Sequence, residues 1–163
     1  MNDLRRLNEL RTGVRASYYA CRRGFPRVTD ARLRAVLEDA ALTRWRLARS
    51  IDAFLVSQPA EEHSRLGATP VDLAHCLALR ARTALASDRN LYGLRWLASD
   101  SAQLRHAVEI CRALSWSLEV SDFLSARLVE LKQVQCTANG LLATMPTRRR
   151  VTVAGGRTAM ENV

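Results

Sequence analysis

Two pairs of residues with metal-binding side chains stand at helical spacing. Asp72 precedes His75 by three positions, and His106 precedes Glu109 by three. Residues three apart share one face of a helix, so these four side chains from two helices are candidate ligands for iron, manganese or zinc. The alternative is that Asp72 only stabilises a helix N-terminus and that the other three are half-exposed polar residues.

Other catalytic patterns are absent from the sequence. Di-iron bundles need a Glu from each of two helices and Glu-x-x-His from each of the other two, and no Glu-x-x-His occurs in the chain. There is also no Gly-x-Ser-x-Gly elbow, no phosphate-binding glycine loop and no Gly-x-Gly-x-x-Gly fingerprint. The sequence therefore leans against an enzyme and predicts no cofactor.

The cysteines are far apart in the sequence and form no Cys-x-x-Cys pair. They are Cys21, Cys76, Cys111 and Cys136. No export-type hydrophobic segment follows Met1, and no apolar run approaches the roughly 18–20 residues of a transmembrane helix. We therefore expect a cytoplasmic protein whose four thiols are small buried hydrophobes.

The chain is strongly basic, with a net charge of +9. Lys132 is the only lysine, and the arginines are spread over the whole sequence, which is more typical of a solvated surface than of a nucleic-acid footprint. Two features favour binding to nucleic acid or to another anionic surface. Trp45 between Arg44 and Arg46 could stack on a base. The run of Arg148, Arg149 and Arg150 could contact phosphates.

Apolar periodicity predicts the element that organises the fold, a helix over residues 29–58. Its apolar residues recur in steps of three, four and seven and share one stripe. They are Leu33, Leu37, Ala40, Leu47, Ile51 and Phe54. Arg44 falls on the same stripe, and Arg11 lies beside the stripe of the first helix. Because an unpaired buried charge is very costly, we expect Arg44 to pair with an acid such as Glu9 or Glu130, or to reach the edge of the bundle.

Similar patterns predict helices over residues 3–23, 91–114 and 118–143. A further packed helix over 70–86 has the apolar stripe Leu73, Leu77, Ala81 and Leu85. Four long amphipathic helices joined by short turns predict an all-α, antiparallel four-helix bundle with an additional helix between the second and third core helices. The domain covers residues 1–145, and residues 146–163 are expected to form a flexible basic tail.

Several short motifs resemble a known family. They are the run Leu7-Asn8-Glu9-Leu10, the pair Tyr18-Tyr19, and the second helix with its arginine and aromatic centre. Together with the order of the helices, they resemble a bacterial ferritin-like four-helix-bundle family of unknown function over roughly residues 4–145. The resemblance implies that the fold is ferritin-like.

The same resemblance implies that metal ligands have been lost. Ferritin-like relatives take ligands from acidic residues of the first and third core helices and from a histidine of the last. The corresponding regions here hold Ser17, residues 98–101 and Cys136-Thr137. We therefore predict a non-enzymatic bundle that acts through protein–protein contacts, as a homo-oligomer or with a protein partner. A ferritin-like metal or redox protein and a basic nucleic-acid binder are the alternatives.

Overall fold

The computed structural model describes residues 2–56, 70–115 and 118–145, except for the side chains of residues 2, 3 and 70–72. Over these ranges the secondary structure consists of helices, and no strand occurs in them. The helices are α1 (Asn2–Arg23), α2 (Ala31–Val56), α3 (Pro70–Leu85), α4 (Arg89–Ala113) and α5 (Leu118–Thr144). All five predicted helices are present. The predicted tail at 146–163 and the loop before α3 lie outside the described residues.

Short polar side chains determine where α2 and α4 begin. The Asp30 carboxylate accepts a hydrogen bond from the Leu33 N–H at 3.0 Å. Asp88 accepts one from the Leu91 N–H at 3.0 Å in the same way. Each carboxylate satisfies an N–H that has no partner within its own helix. Helix α2 therefore begins directly after Asp30, and α4 directly after Asp88.

Contacts between helices define their directions. The Ser17 and Arg44 side chains are bonded, as are Arg11 and Asp52, so α1 and α2 are antiparallel. Helix α4 is also antiparallel to α1, because the Arg6 guanidinium donates to the Leu114 carbonyl near the end of α4. Helices α4 and α5 are antiparallel neighbours too, because Arg112 near the end of α4 donates to the Ser125 hydroxyl near the start of α5.

The beginnings of α2 and α4 lie side by side, which makes these two helices parallel. The Thr29 N–H donates to the Asn90 side-chain oxygen at 3.0 Å, and the Asn90 amide donates back to the Thr29 hydroxyl at 3.2 Å. Gly93 permits this close approach, because a Cβ there would lie 3.3 Å from the Phe25 ring. The chain from the end of α2 to the start of α4 therefore returns along the full length of the molecule.

The core is divided into two apolar clusters. One lies toward the N-terminal end of α1, and its largest members are Leu7, Leu47, Ile51, Leu124 and Leu131. The other lies toward the C-terminal end of α1 and includes Phe25, Leu33, Leu94, Leu97 and Val134. Along α1, α2 and α4, the two clusters are separated by buried polar residues. The core therefore has a polar layer between two apolar ones.

Helix α3 packs by a different face from the one that its apolar stripe predicts. The buried residues are Cys76, Leu79 and Thr83, which lie against α1 and α4, whereas Leu77 and Leu85 are 64% and 86% exposed. The helix has apolar residues on two faces, and only the narrower face contacts the other helices. The prediction of an additional packed helix is therefore correct, but the predicted face is wrong.

None of the helices in the described ranges is both long and apolar enough to cross a membrane.

Candidate functional site

The polar layer is built around Arg44, whose side chain is 0% exposed. Helix α2 places Arg44 on its core stripe, between Ala40 and Leu47. Helix α1 contributes Ser17, and α4 contributes Asp100 and Ser101 at the same height. The guanidinium is thus surrounded by side chains from three helices.

Four hydrogen bonds hold the Arg44 guanidinium. Nε donates to the Ser17 hydroxyl, and Nη1 donates to the Ala40 carbonyl at 3.0 Å. Nη2 donates to Asp100 Oδ2 at 2.8 Å and to the Ser101 hydroxyl at 2.9 Å. Ser17 in turn donates to the same Asp100 oxygen. Charge-assisted bonds of this kind offset the loss of hydration that a buried guanidinium suffers.

Arg44 is buried and pairs with an acid, the first of the two expected outcomes, although the acid is neither of the two suggested partners. The structure gives Asp100 rather than Glu9 or Glu130. Glu9 pairs with Arg5 at 3.0 Å on the surface, and Glu130 pairs with Arg127 on its own helix. In each of these two ion pairs, the partners are only three or four residues apart on one helix. Such local pairs form at little cost in chain entropy.

The polar layer coincides with the positions where the family resemblance places metal ligands. Ser17 and residues 98–101 are the regions where a ferritin-like family would have the acidic ligands of helix one and the third core helix. A guanidinium now lies between them, and its fixed positive charge opposes the entry of a metal cation at short range. Asp100 is already bonded to that guanidinium. The layer is therefore suited to holding helices in register.

A second ion pair connects α1 and α2 nearer the N-terminal end of α1. Arg11 Nη1 lies 3.2 Å from Asp52 Oδ1, and the two side chains are 8% and 16% exposed. Arg11 Nε and Asp52 Oδ2 are buried and have no hydrogen-bond partner. The expectation that Arg11 intrudes into the core is confirmed, but its pairing is less complete than that of Arg44.

The four candidate metal ligands lie on α3 and α4. His75 and His106 are exposed, and Glu109 is half-buried with its carboxylate 3.9 Å from the Arg105 guanidinium. Among the described side chains, no three His, Cys, Asp or Glu residues come together. The Asp72 side chain lies outside the described residues, so the complete four-ligand set stays a prediction.

The cysteines do not all share one environment. Cys21, Cys76 and Cys111 are buried, whereas Cys136 is exposed, so the prediction of four buried thiols is wrong for Cys136. Burial raises the pKa of Cys21 to about 12. The positive charge of Arg44 lowers this pKa, and the negative charge of Asp100 raises it. The Cys21 thiol is therefore neutral and unreactive at physiological pH.

We expect one fast-reacting thiol in the folded protein. In a titration with a chromogenic disulfide at neutral pH, Cys136 should react quickly, and the three buried thiols should react only as the protein unfolds. Raising the pH to near 9 should leave Cys21 unreactive in the folded protein, because its pKa is about 12. Cys136→Ser should remove the fast phase. A fast phase that remains in this variant would contradict the assigned burial.

The residues proposed to contact nucleic acid are separated by the fold. Trp45 is 46% exposed, whereas Arg44 points into the core. The two side chains therefore cannot form one surface site. The Arg49 guanidinium lies 5.9 Å from the centre of the Trp45 ring. The three tail arginines, Arg148, Arg149 and Arg150, lie outside the described residues, and their role stays a prediction.

The outward side of α3 is an apolar surface, which we call the Leu/Ala face. At about 100° per residue, it covers an arc of roughly 140° in which every described side chain is leucine or alanine. Its members are Leu73, Ala74, Leu77, Ala78, Ala81, Ala84 and Leu85. All are exposed except Ala84, which is half-buried. Arg80 and Arg82 lie at its two edges. A wide apolar arc on the solvent side of a helix is typical of an interaction surface.

The sequence pattern singled out Arg44 as a cation on a core stripe. It did not indicate that Ser17, Asp100 and Ser101 are the hydrogen-bond partners of Arg44. The available signal was the polar run at residues 99–101, which interrupts the apolar pattern of α4. Arg44 interrupts the stripe of α2 in the same way. Two such interruptions on helices of one bundle are a signal that the polar positions face each other.

No protein-family model, curated protein or solved structure matches this chain.

Proposed function

We propose that this protein is a non-enzymatic helical bundle that acts through association, and that the Leu/Ala face of α3 is its docking surface. The observation that carries the proposal is the exposure of Leu77 and Leu85, at 64% and 86%, within an arc that holds no polar side chain. Burying such an arc against another helix gains about 25 cal/mol for each Å² of apolar surface removed from water.

The occupant that fits this face best is a second copy of the same chain. Three leucines and four alanines make up the face, so the large side chains of one copy can pack over the small ones of the other and bring the two backbones close together. Arg80 and Arg82 both lie in the C-terminal half of α3. Antiparallel pairing across a two-fold axis would separate the arginines of the two copies, whereas parallel pairing would bring like charges together. We therefore infer an antiparallel α3–α3 contact.

We also infer a ferritin-like four-helix bundle for α1, α2, α4 and α5. The support is that consecutive long helices pack as antiparallel pairs, while a single long connection joins the parallel helices α2 and α4. Helix α3 lies on that connection and leaves its outer face open. A ferritin-like metal or redox role is less well supported, because the interior centre holds the Arg44 cation.

Leu77→Glu should dissociate the assembly. Size-exclusion chromatography with light scattering should give a dimer for the wild type and a monomer for the variant. We expect dimerisation to weaken at least about 100-fold, because two-fold pairing buries two carboxylates in an apolar contact. Val129→Glu is the matched control, since Val129 on α5 is 67% exposed and lies outside the face.

A wild-type protein that stays monomeric at high concentration would overturn the self-association proposal. Equal dissociation by Leu77→Glu and Val129→Glu would also overturn the assignment to α3. Far-UV circular dichroism of both variants should match the wild type, because both residues are exposed.

Elemental analysis of freshly purified protein tests the metal alternative. Stoichiometric iron, manganese or zinc that is lost on His75→Ala or His106→Ala would favour it.

A further inference from the structure

A long cleft runs along the outer side of the α1–α2 pair. Two cavities of about 770 Å³ and 340 Å³ compose it, and both are lined by Tyr18 and Trp45. The larger cavity has an apolar floor that includes Phe25 and Leu37, and the smaller one extends past Tyr19. The two cavities therefore form one continuous surface, which we call the aromatic–arginine cleft.

The cleft carries flat aromatic rings next to cationic side chains. Trp45 is 46% exposed, with the Arg49 guanidinium 5.9 Å from its ring centre. On the opposite wall, the Arg22 guanidinium donates to the Tyr18 hydroxyl at 2.8 Å. A guanidinium that already lies beside an aromatic ring can bind a phosphate while the ring stacks on the attached base.

The charge of the cleft is strongly positive. Its lining residues include Arg15, Arg22, Arg34 and Arg49 but a single acid, Glu38. Arg34 and Arg49 are fifteen residues apart on α2, so the cations extend over roughly 22 Å at 1.5 Å per residue. That length exceeds a single nucleotide. It matches a polyanion, which carries a negative charge on each of its repeating units.

We propose that the aromatic–arginine cleft binds single-stranded nucleic acid. Bases stack on Trp45 and Tyr19, and phosphates contact Arg22, Arg34 and Arg49. A duplex has its base faces already stacked and cannot use the rings. An acidic peptide would satisfy the arginines, but its carboxylates offer no flat partner for Trp45. The exposed Trp45 ring and the half-buried Tyr19 ring therefore favour a strand with unstacked bases.

Fluorescence anisotropy with a labelled oligo(dT), a labelled oligo(U) and a labelled duplex of equal length tests the proposal on the full chain. We expect both single strands to bind more tightly than the duplex. Trp45→Leu should weaken binding by roughly 5- to 100-fold without changing the salt dependence, because it removes stacking alone. Trp45→Phe should retain most of the affinity, since it keeps a flat ring.

Charge removal provides the second readout. Arg22→Gln with Arg49→Gln should reduce the slope of log affinity against log salt by about 1.4, since each phosphate contact on a single strand contributes about 0.7. The matched control is Arg32→Gln with Arg46→Gln, which removes two exposed arginines of α2 outside the cleft. The control should leave the slope nearly unchanged.

Three results would overturn the proposal. The first is the absence of strand binding even at low salt. The second is an equal effect of the two double variants, which would indicate binding to diffuse positive charge. The third is full competition by poly-glutamate together with no effect of Trp45→Leu, which would assign the cleft to an acidic protein. Circular dichroism and thermal unfolding of each variant establish that the fold is retained.

Discussion

Arg44→Met should lower the free energy of unfolding by about 3–5 kcal/mol, because it leaves the other charge of a buried ion pair without its partner. Asp100 would keep only the Ser17 hydroxyl, and the Ala40 carbonyl and the Ser101 hydroxyl would each lose a donor. Urea unfolding followed by circular dichroism measures the change. Arg46→Met is the control on the same helix, and we expect a change within about 0.5 kcal/mol because Arg46 is exposed.

A double variant distinguishes the loss of pairing from the loss of packing. Arg44→Met with Asp100→Asn removes both charges, and we expect it to be more stable than Arg44→Met alone. Asp100→Asn alone should also be destabilising, since it leaves the Arg44 cation in the core. A double variant that shows the full sum of the two single effects would contradict a direct coupling between these side chains.

Leu79→Ala should lower the free energy of unfolding by about 2–5 kcal/mol, whereas Leu77→Ala should change it by less than about 0.5 kcal/mol. The physical reason is that Leu79 is 3% exposed and packs against α1, while Leu77 is 64% exposed. The two variants remove the same atoms from the same helix. Urea unfolding at the lowest practical protein concentration separates this effect from any dissociation of a dimer.

The opposite order of the two effects would show that α3 packs by its Leu/Ala face. That result would restore the face indicated by the stripe Leu73, Leu77, Ala81 and Leu85. It would also remove the surface on which self-association is proposed. The comparison of Leu77 with Leu79 therefore tests the structure of α3 independently of the oligomeric state.

The polar layer gives the bundle a defined register. Arg44 finds its partners only where Ser17 of α1 and Asp100 of α4 lie at the same height. A shift of α2 by one helical turn, about 5.4 Å, would place the guanidinium in one of the two apolar clusters. The cost of an unpaired charge there disfavours the shifted packing. Single buried polar groups have this role in other helical assemblies.

Helix positions were largely predictable from the sequence. The stripes of α1, α2, α4 and α5 arise from a repeat of 3.6 residues, which is a local property of the chain. Asp30 and Asp88 start helices through bonds from N–H groups three residues further along the chain. The place of Arg44 on the core stripe also followed, because the stripe is a property of its own helix.

The partner of Arg44 and the packed face of α3 were not predictable in this way. Periodicity indicates which side of a helix is apolar, but it does not indicate which helix covers that side. Helix α3 has leucines on two sides, and the choice between Leu77 and Leu79 depends on where α1 and α4 lie. Asp100 is 56 residues from Arg44 in the chain, so no local pattern joins them.

The sequence by itself determined five helices, their approximate ends and a cation on a core stripe, because these depend on interactions within a few residues. Only the tertiary structure decided that Ser17, Arg44 and Asp100 meet in one layer and that α3 leaves a Leu/Ala face open. The tertiary structure also places Tyr18 and Trp45 together in the lining of the aromatic–arginine cleft. These features depend on the packing of helices that are distant in sequence, where burial and charge pairing of the whole core select one arrangement.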